Sequence, residues 1–225
     1  MSTKMKCKIL TFEEIYEMTK HVARKVKSSD YRPTTIVALA RGGWIPARLL
    51  CDFLGITDLI SLKVEHWLET GRTKDEATIR YPISVDLKGK RLLLVDDIAD
   101  TGKSLIAAAS YLSKFNVEIK TSTMQYLLSS KFKPDFYAEE LKQWVWFIYP
   151  WNWIEDTSTL IIRLMEANKG KVWSVPAINK KLNNLFEIKW HLAMLQYILQ
   201  VMVERNQIED IKGKYILKEA KVVKL

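Results

Sequence analysis

Cysteine and histidine are scarce in this chain of 225 residues, which holds two of the first and three of the second. Cys7 and Cys51 cannot build a disulfide framework or a four-ligand zinc site, and three histidines add little metal-binding capacity. That usage fits a reducing compartment, so a cytoplasmic location is expected. Long apolar runs are missing as well. The richest, residues 144–154 (WVWFIYPWNWI), is too short to span a bilayer and is interrupted by Pro150. The opening MSTKMKCKIL lacks the apolar core of a signal peptide. Neither export nor membrane spanning is therefore expected. There is no internal repeat and no low-complexity tract. Acidic residues are outnumbered, 26 against 35 basic ones, and the resulting formal charge of +9 suits a phosphorylated ligand or nucleic acid. What the chain has in quantity is apolar material, 48% of residues with 11% aromatic. A chain of this length buries roughly 70% of its unfolded surface, and intrinsic disorder is excluded.

Periodicity and breakers supply the organisation. Thr11 followed by Glu13 and Glu14 marks a helix start, and Ile15, Met18, Val22 and Val26 recur at helical spacing to about Ser28. Residues 34–40 (TTIVALA) read as a strand ending at Arg41-Gly42-Gly43, after which helical spacing runs over 45–54 to Gly55. Residues 60–64 read as a strand and the polar stretch 68–80 as a mobile loop. Residues 91–95 (RLLLV) have the pattern of a strand buried on both faces and lead into an alanine-rich helix over 105–114. Residues 118–126 and 144–149 complete the strands. Alternating strands and helices predict an α/β fold with a central, mostly parallel sheet flanked by helices, with ligands at the carboxyl ends of the strands. That domain is expected over residues 1–152. Residues 153–225 form a mainly helical extension with helices over 157–167 and 185–204. A small terminal hairpin around Gly213 follows, an ending that resembles that of a winged helix.

The chemistry concentrates in residues 91–105, RLLLVDDIADTGKSL, where a buried strand delivers two aspartates into a small-residue turn and a helix. Ala99, Asp100, Thr101, Gly102, Lys103 and Ser104 can turn their backbone N–H groups onto a phosphate at the helix N-terminus. Asp96 and Asp97 then face whatever that phosphate carries, and paired carboxylates suit sugar hydroxyls or Mg2+. Together they describe a sugar phosphate. A Walker P-loop needs a glycine where Asp97 stands, and simple helix capping explains one aspartate but not the other.

VDDIADTGKS closely resembles the binding motif for phosphoribosyl pyrophosphate (PRPP) in the type I phosphoribosyltransferases, and residues 38–47 (ALARGGWIPA) resemble that family's pyrophosphate loop. The resemblance covers about two thirds of the chain and implies a type I phosphoribosyltransferase core. It implies that Asp96 and Asp97 hold the ribose hydroxyls with Mg2+, that residues 100–104 hold the 5′-phosphate, and that Arg41, Gly42 and Lys63 bind pyrophosphate. A base nitrogen would displace pyrophosphate from ribose C1 to give a nucleoside monophosphate, with Arg41 stabilising the departing group. Asp100 sits where purine enzymes of the family carry a carboxylate near N7, so Arg41 and Asp100 are the candidate catalytic residues. The resemblance also implies a homodimer.

Residues 125–137 (QYLLSSKFKPDFY) resemble archaeal 6-oxopurine enzymes, whose lysine donates to the purine O6, but Leu127 occupies the matching position. A lysine there would set donor against donor on adenine, and its loss favours adenine. The expectation is therefore a 6-oxopurine-type scaffold adapted to adenine, resembling adenine phosphoribosyltransferases of crenarchaea and making AMP. Lys131 or Lys133, if one reaches the base, restores the alternative of hypoxanthine, guanine or xanthine. Trp146 is the candidate for stacking on the base and Phe147 for reading its edge through the backbone. His66 is left outside the site. A PRPP-sensing regulator is the further alternative, because Lys180, Lys181, Lys189, Lys212, Lys214, Lys218, Lys221 and Lys224 make the tail basic. The intact Arg41-Gly42-Gly43 loop argues instead for catalysis, and nucleic acid is not expected as a partner.

Overall fold

A computed structural model of the chain describes residues 4–66 and 77–218. Their contacts divide into two compact units, one made of Phe12–Trp144 and the other of the described parts of Met1–Thr11 and Val145–Leu225. The change of pattern in the sequence predicts a single boundary after residue 152. The contacts draw the line before Val145 and assign the N-terminal segment to the C-terminal side. The reason is a short parallel pair, β1 (Cys7–Ile9) with β8 (Trp146–Ile148).

The central unit contains α1 (Phe12–Ser28), β2 (Thr35–Ala40), α2 (Trp44–Leu54), β3 (Leu59–His66), β4 (Ala77–Tyr81), β5 (Arg91–Ala99), α3 (Lys103–Leu112), β6 (Glu118–Leu127) and β7 (Phe136–Leu141). They build one six-stranded sheet in the order β4-β3-β2-β5-β6-β7, parallel except for β4, which runs antiparallel at the edge beside β3. Alternate residues of the middle strands explain the double cover. Val37, Leu39, Leu92 and Leu94 pack with Leu105, Ala108 and Leu112 of α3. Their neighbours Ile36, Ala38, Leu93 and Val95 are equally buried, as strands with helices on both faces require.

Three expectations change. Residues 144–149 do not join the main sheet; β8 pairs with β1 instead. The edge strands β4 and β7 were not legible as strands in the sequence, and β4 takes up residues 77–80 of the expected mobile loop, whose residues 68–76 lie outside the described residues. The third change concerns the helices of the C-terminal unit.

That unit contains α4 (Trp153–Glu166), β9 (Trp173–Ser174), α5 (Val175–Phe186), α6 (Leu192–Glu204), β10 (Ile208–Ile211) and β11 (Lys214–Leu217). The periodicity over 185–204 predicts one helix, and the structure has two. Glu187 takes a left-handed conformation, φ 60°. The buried Asn179 side chain then ties down the next turn, donating to Trp190 O at 2.8 Å and accepting from Trp190 N–H at 3.0 Å. Leu160, Ile161 and Leu164 of α4, Ile178 and Leu182 of α5, and Leu195, Ile198 and Met202 of α6 share one core with Trp173 and Tyr215. The terminal hairpin is present: Lys212 (φ 54°) and Gly213 (φ 77°) form its two-residue turn, and Asp210 Oδ1 accepts from Gly213 N–H at 2.7 Å. Among the described residues no helix is long and apolar enough to cross a membrane.

Candidate active site

β5 carries Asp96 and Asp97 out at its carboxyl end, and the chain turns through Asp100, Thr101 and Gly102 into α3. The N-cap of α3, Gly102, has no side chain to cap the helix. Thr101 Oγ1 lies 3.5 Å from Lys103 N. Gly102 is left-handed, φ 77°, and a Cβ there would meet Phe132 Cβ at 2.5 Å and Ser130 Oγ at 2.9 Å. Glycine is required at this point by both backbone and space. Residues 96–98 and 100–105 line a cleft of about 230 Å³. Ala99 is buried in the core beside Leu105, so only its backbone is available to a ligand.

The Arg41-Gly42-Gly43 loop comes directly onto this turn. A Cβ at Gly42 would lie 2.5 Å from Asp97 Cγ, and one at Gly43 would lie 2.8 Å from Leu39 O and collide with Val95 O. Gly43 N–H donates to Leu39 O at 2.8 Å, and the Ala40–Arg41 peptide is cis. On the neighbouring strand Lys63 pairs in register with Ala40, one residue from Arg41, and its ammonium stands 5.6 Å from the centre of the Tyr81 ring. Arg41 is exposed and Lys63 half-buried. The carboxyl ends of β2, β3 and β5 thus gather two carboxylates, two cations and the N-terminus of α3.

The two aspartates are not equivalent. Asp97 N–H donates to Asp96 Oδ1 at 3.0 Å, and Ile98 N–H to Asp97 Oδ1 at 2.8 Å. Loss of solvent, reinforced by the charge of Asp97, pushes the Asp96 carboxyl well above the usual carboxylate range. A cation bound between them would relieve both effects. Among the described residues no cluster of three metal-ligating side chains occurs, and a site with two carboxylates matches the habit of Mg2+, which takes its remaining ligands from substrate and water.

The candidate base-binding residues belong to both units. Leu127 is the last residue of β6, pairs with Leu141 and is buried. Trp146 and Phe147 lie on β8 in the other unit, where Trp146 is 42% exposed, Phe147 is buried, and Trp146 N–H donates to Lys6 O at 3.0 Å. His66 ends β3. The sequence offers Lys131 or Lys133 of this region as the alternative donor to the base but does not show that the segment 128–135, which returns from the top of β6 to the start of β7, packs on the turn. Lys131 N–H donates to Thr101 O at 3.3 Å, and Ser130 and Phe132 pack on Gly102. The available signal was its position, since loops leaving the carboxyl ends of parallel strands converge on one site.

The phosphoribosyl transferase domain family matches residues 8–155, a span that holds the turn, the glycine loop and both aspartates. The chain belongs to that family. Phosphoribosyltransferases are also what it is similar to one by one. It is 26% identical over 147 residues to the xanthine-guanine phosphoribosyltransferase of Idiomarina loihiensis, covering 64% of this chain and 85% of that one. It is 23% identical over 212 residues to the hypoxanthine-guanine phosphoribosyltransferase of Saccharomyces cerevisiae, covering 74% and 94%. Among solved structures, the purine phosphoribosyltransferase from Pyrococcus horikoshii matches with a TM-score of 0.59 and 31% identity over 66% of this chain and 95% of that one. The resemblance to type I purine phosphoribosyltransferases drawn from VDDIADTGKS is borne out, and so is the expected fold class. The expectation of adenine is overturned: the curated relatives are named for xanthine, hypoxanthine and guanine. That expectation rested on the missing lysine at Leu127, a buried strand residue, whereas the exposed lysines Lys131 and Lys133 follow in the loop that touches the turn.

Proposed function

We propose that this phosphoribosyltransferase transfers the 5-phosphoribosyl group of PRPP to a 6-oxopurine, releasing pyrophosphate and salvaging the base as its nucleoside monophosphate. The observation that supports the transfer is the apposition of Gly42 and Asp97: the loop proposed to bind pyrophosphate lies against the carboxylates proposed to bind the sugar. The names of the relatives support the class of base.

In this reading the N–H groups at the start of α3, with the Thr101 and Ser104 hydroxyls, bind the 5′-phosphate, where the helix dipole favours an anion. Asp96 and Asp97 accept from the ribose hydroxyls. Arg41 supplies a planar fork of donors to pyrophosphate, Lys63 adds a point charge, and Gly42 allows the backbone to come close. Mg2+ bound with PRPP would neutralise charge on the leaving group, and Asp96 and Asp97 are the residues that would hold it. As the C1–O bond to pyrophosphate breaks, a base nitrogen forms the new bond to C1 and loses its proton, and Asp100 is placed at the turn to accept it. Holding sugar and leaving group on rigid strand ends supplies the alignment. A 6-oxopurine offers an acceptor at O6, and Lys131 is the donor proposed to meet it.

The test is pyrophosphate release with PRPP and Mg2+ and each of hypoxanthine, guanine, xanthine and adenine. Turnover with one or more of the first three supports the reading; turnover with adenine alone rejects it.

A further inference from the structure

The C-terminal unit runs helix, strand, helix, helix, strand, strand, and its sheet has the order β10-β11-β9 with β11 antiparallel to both neighbours. Three helices on a small antiparallel sheet, with a final hairpin beyond the third helix, is the winged-helix arrangement. In it α5 and α6, joined by residues 187–191, stand as the helix-turn-helix. None of the residues given a role in the transfer above lies on α4 to β11.

Charge is distributed to match. The segments 1–11 and 145–225 hold fifteen basic and eight acidic residues, whereas residues 12–144 hold twenty and eighteen, so +7 of the net +9 belongs to this unit. The lysines fall on the elements that a winged helix turns toward a duplex. Lys180 and Lys181 are exposed on α5, Lys189 lies in the turn before α6, and Lys212 and Lys214 stand at the tip of the hairpin. Lys180 and Lys189 also border one surface groove with Asn183 and His191.

We propose that this unit binds duplex DNA, with Lys180, Lys181 and Lys189 beside the helix-turn-helix and Lys212 and Lys214 on the wing contacting phosphates. α6 contains no lysine or arginine, and its exposed positions include Leu192, Gln196, Tyr197 and Gln200. Phosphate contacts therefore dominate, and sequence selection is weak. The partner is DNA rather than RNA because the B-form major groove admits a helix and the A-form groove does not.

The test uses the full chain and a labelled mixed-sequence DNA duplex of about 20 base pairs, followed by fluorescence anisotropy from 50 to 200 mM KCl. Five phosphate contacts give a slope of log affinity against log salt of roughly −4.5. The double variant K212Q/K214Q should reduce that slope by about 2 while leaving PRPP-dependent turnover unchanged, and K180Q/K181Q should reduce it similarly. The proposal is overturned by no binding at 50 mM KCl, by a slope that either pair leaves unchanged, or by tighter binding to an RNA duplex of the same length.

Discussion

Gly42 faces the carboxyl group of Asp97 so closely that a Cβ at residue 42 would lie 2.5 Å from Asp97 Cγ. The two loops of the site are therefore fitted to each other through one glycine. Gly42→Ala should push the Asp97 carboxylate aside, and a misplacement near 1 Å costs kcat/KM roughly 100-fold. Because a side chain yields, its stability should change little. Gly43→Ala meets the carbonyls of Val95 and Leu39, which cannot yield, and should lower unfolding free energy by about 1–3 kcal/mol. Denaturant titration beside steady-state kinetics separates the two effects.

Asp96 illustrates the conflict between stability and function. Burial and the Asp97 charge raise its pKa, so the folded protein prefers the protonated form and loses stability as pH rises above the unfolded carboxyl value. Asp96→Asn removes that cost. The variant should have a higher melting temperature than the parent at pH 7 and lower PRPP-dependent turnover, whereas a lower melting temperature would mean that the carboxylate is favourably held.

Cys7 gives an alkaline signature in the C-terminal unit. Burial, then the charge of Asp156, pushes its thiol from 9.0 up to about 11. A folded pKa above the unfolded one means that stability is complete below pH 9 and is lost as pH rises toward 11, by about 2–3 kcal/mol. Cys7→Ala should be free of that loss. Unfolding free energies of both proteins at pH 8 and pH 11 test it, since the burial-raised hydroxyl of Tyr31 contributes equally to each.

Lys131 and Lys133 are separable. Lys131 is bonded through its backbone to Thr101 O, while the Lys133 ammonium stands 5.7 Å from the Tyr137 ring centre. Lys131→Met should lower kcat/KM for hypoxanthine about 10- to 100-fold by leaving O6 without a donor, and Lys133→Met should leave it nearly unchanged. Kinetics of the two variants on one base decide between them.

The turn over 96–104 was legible because its features sit in consecutive residues: two aspartates, a small-residue turn and a helix start need no tertiary information. The parallel sheet was legible where strands are apolar on both faces, as in RLLLV. Edge strands are not, since half-exposed β4 and β7 carry the same polar residues as loops. The break between α5 and α6 was hidden because helical spacing continues across Glu187, and only the Asn179 side chain, eleven residues before Trp190, fixes the turn. The base preference failed for a related reason. Matching Leu127 to a family position outweighed the alternative of Lys131 or Lys133 in the eight-residue return of 128–135, because the packing against Gly102 that brings this segment to the turn is tertiary and cannot be read along the chain.

The most direct measurement is a competition: equal adenine and hypoxanthine with limiting PRPP and Mg2+, with AMP and IMP quantified in one reaction. IMP in at least tenfold excess is the expected result. AMP in excess would contradict the assignment of a 6-oxopurine and return Leu127 to the centre of base selection.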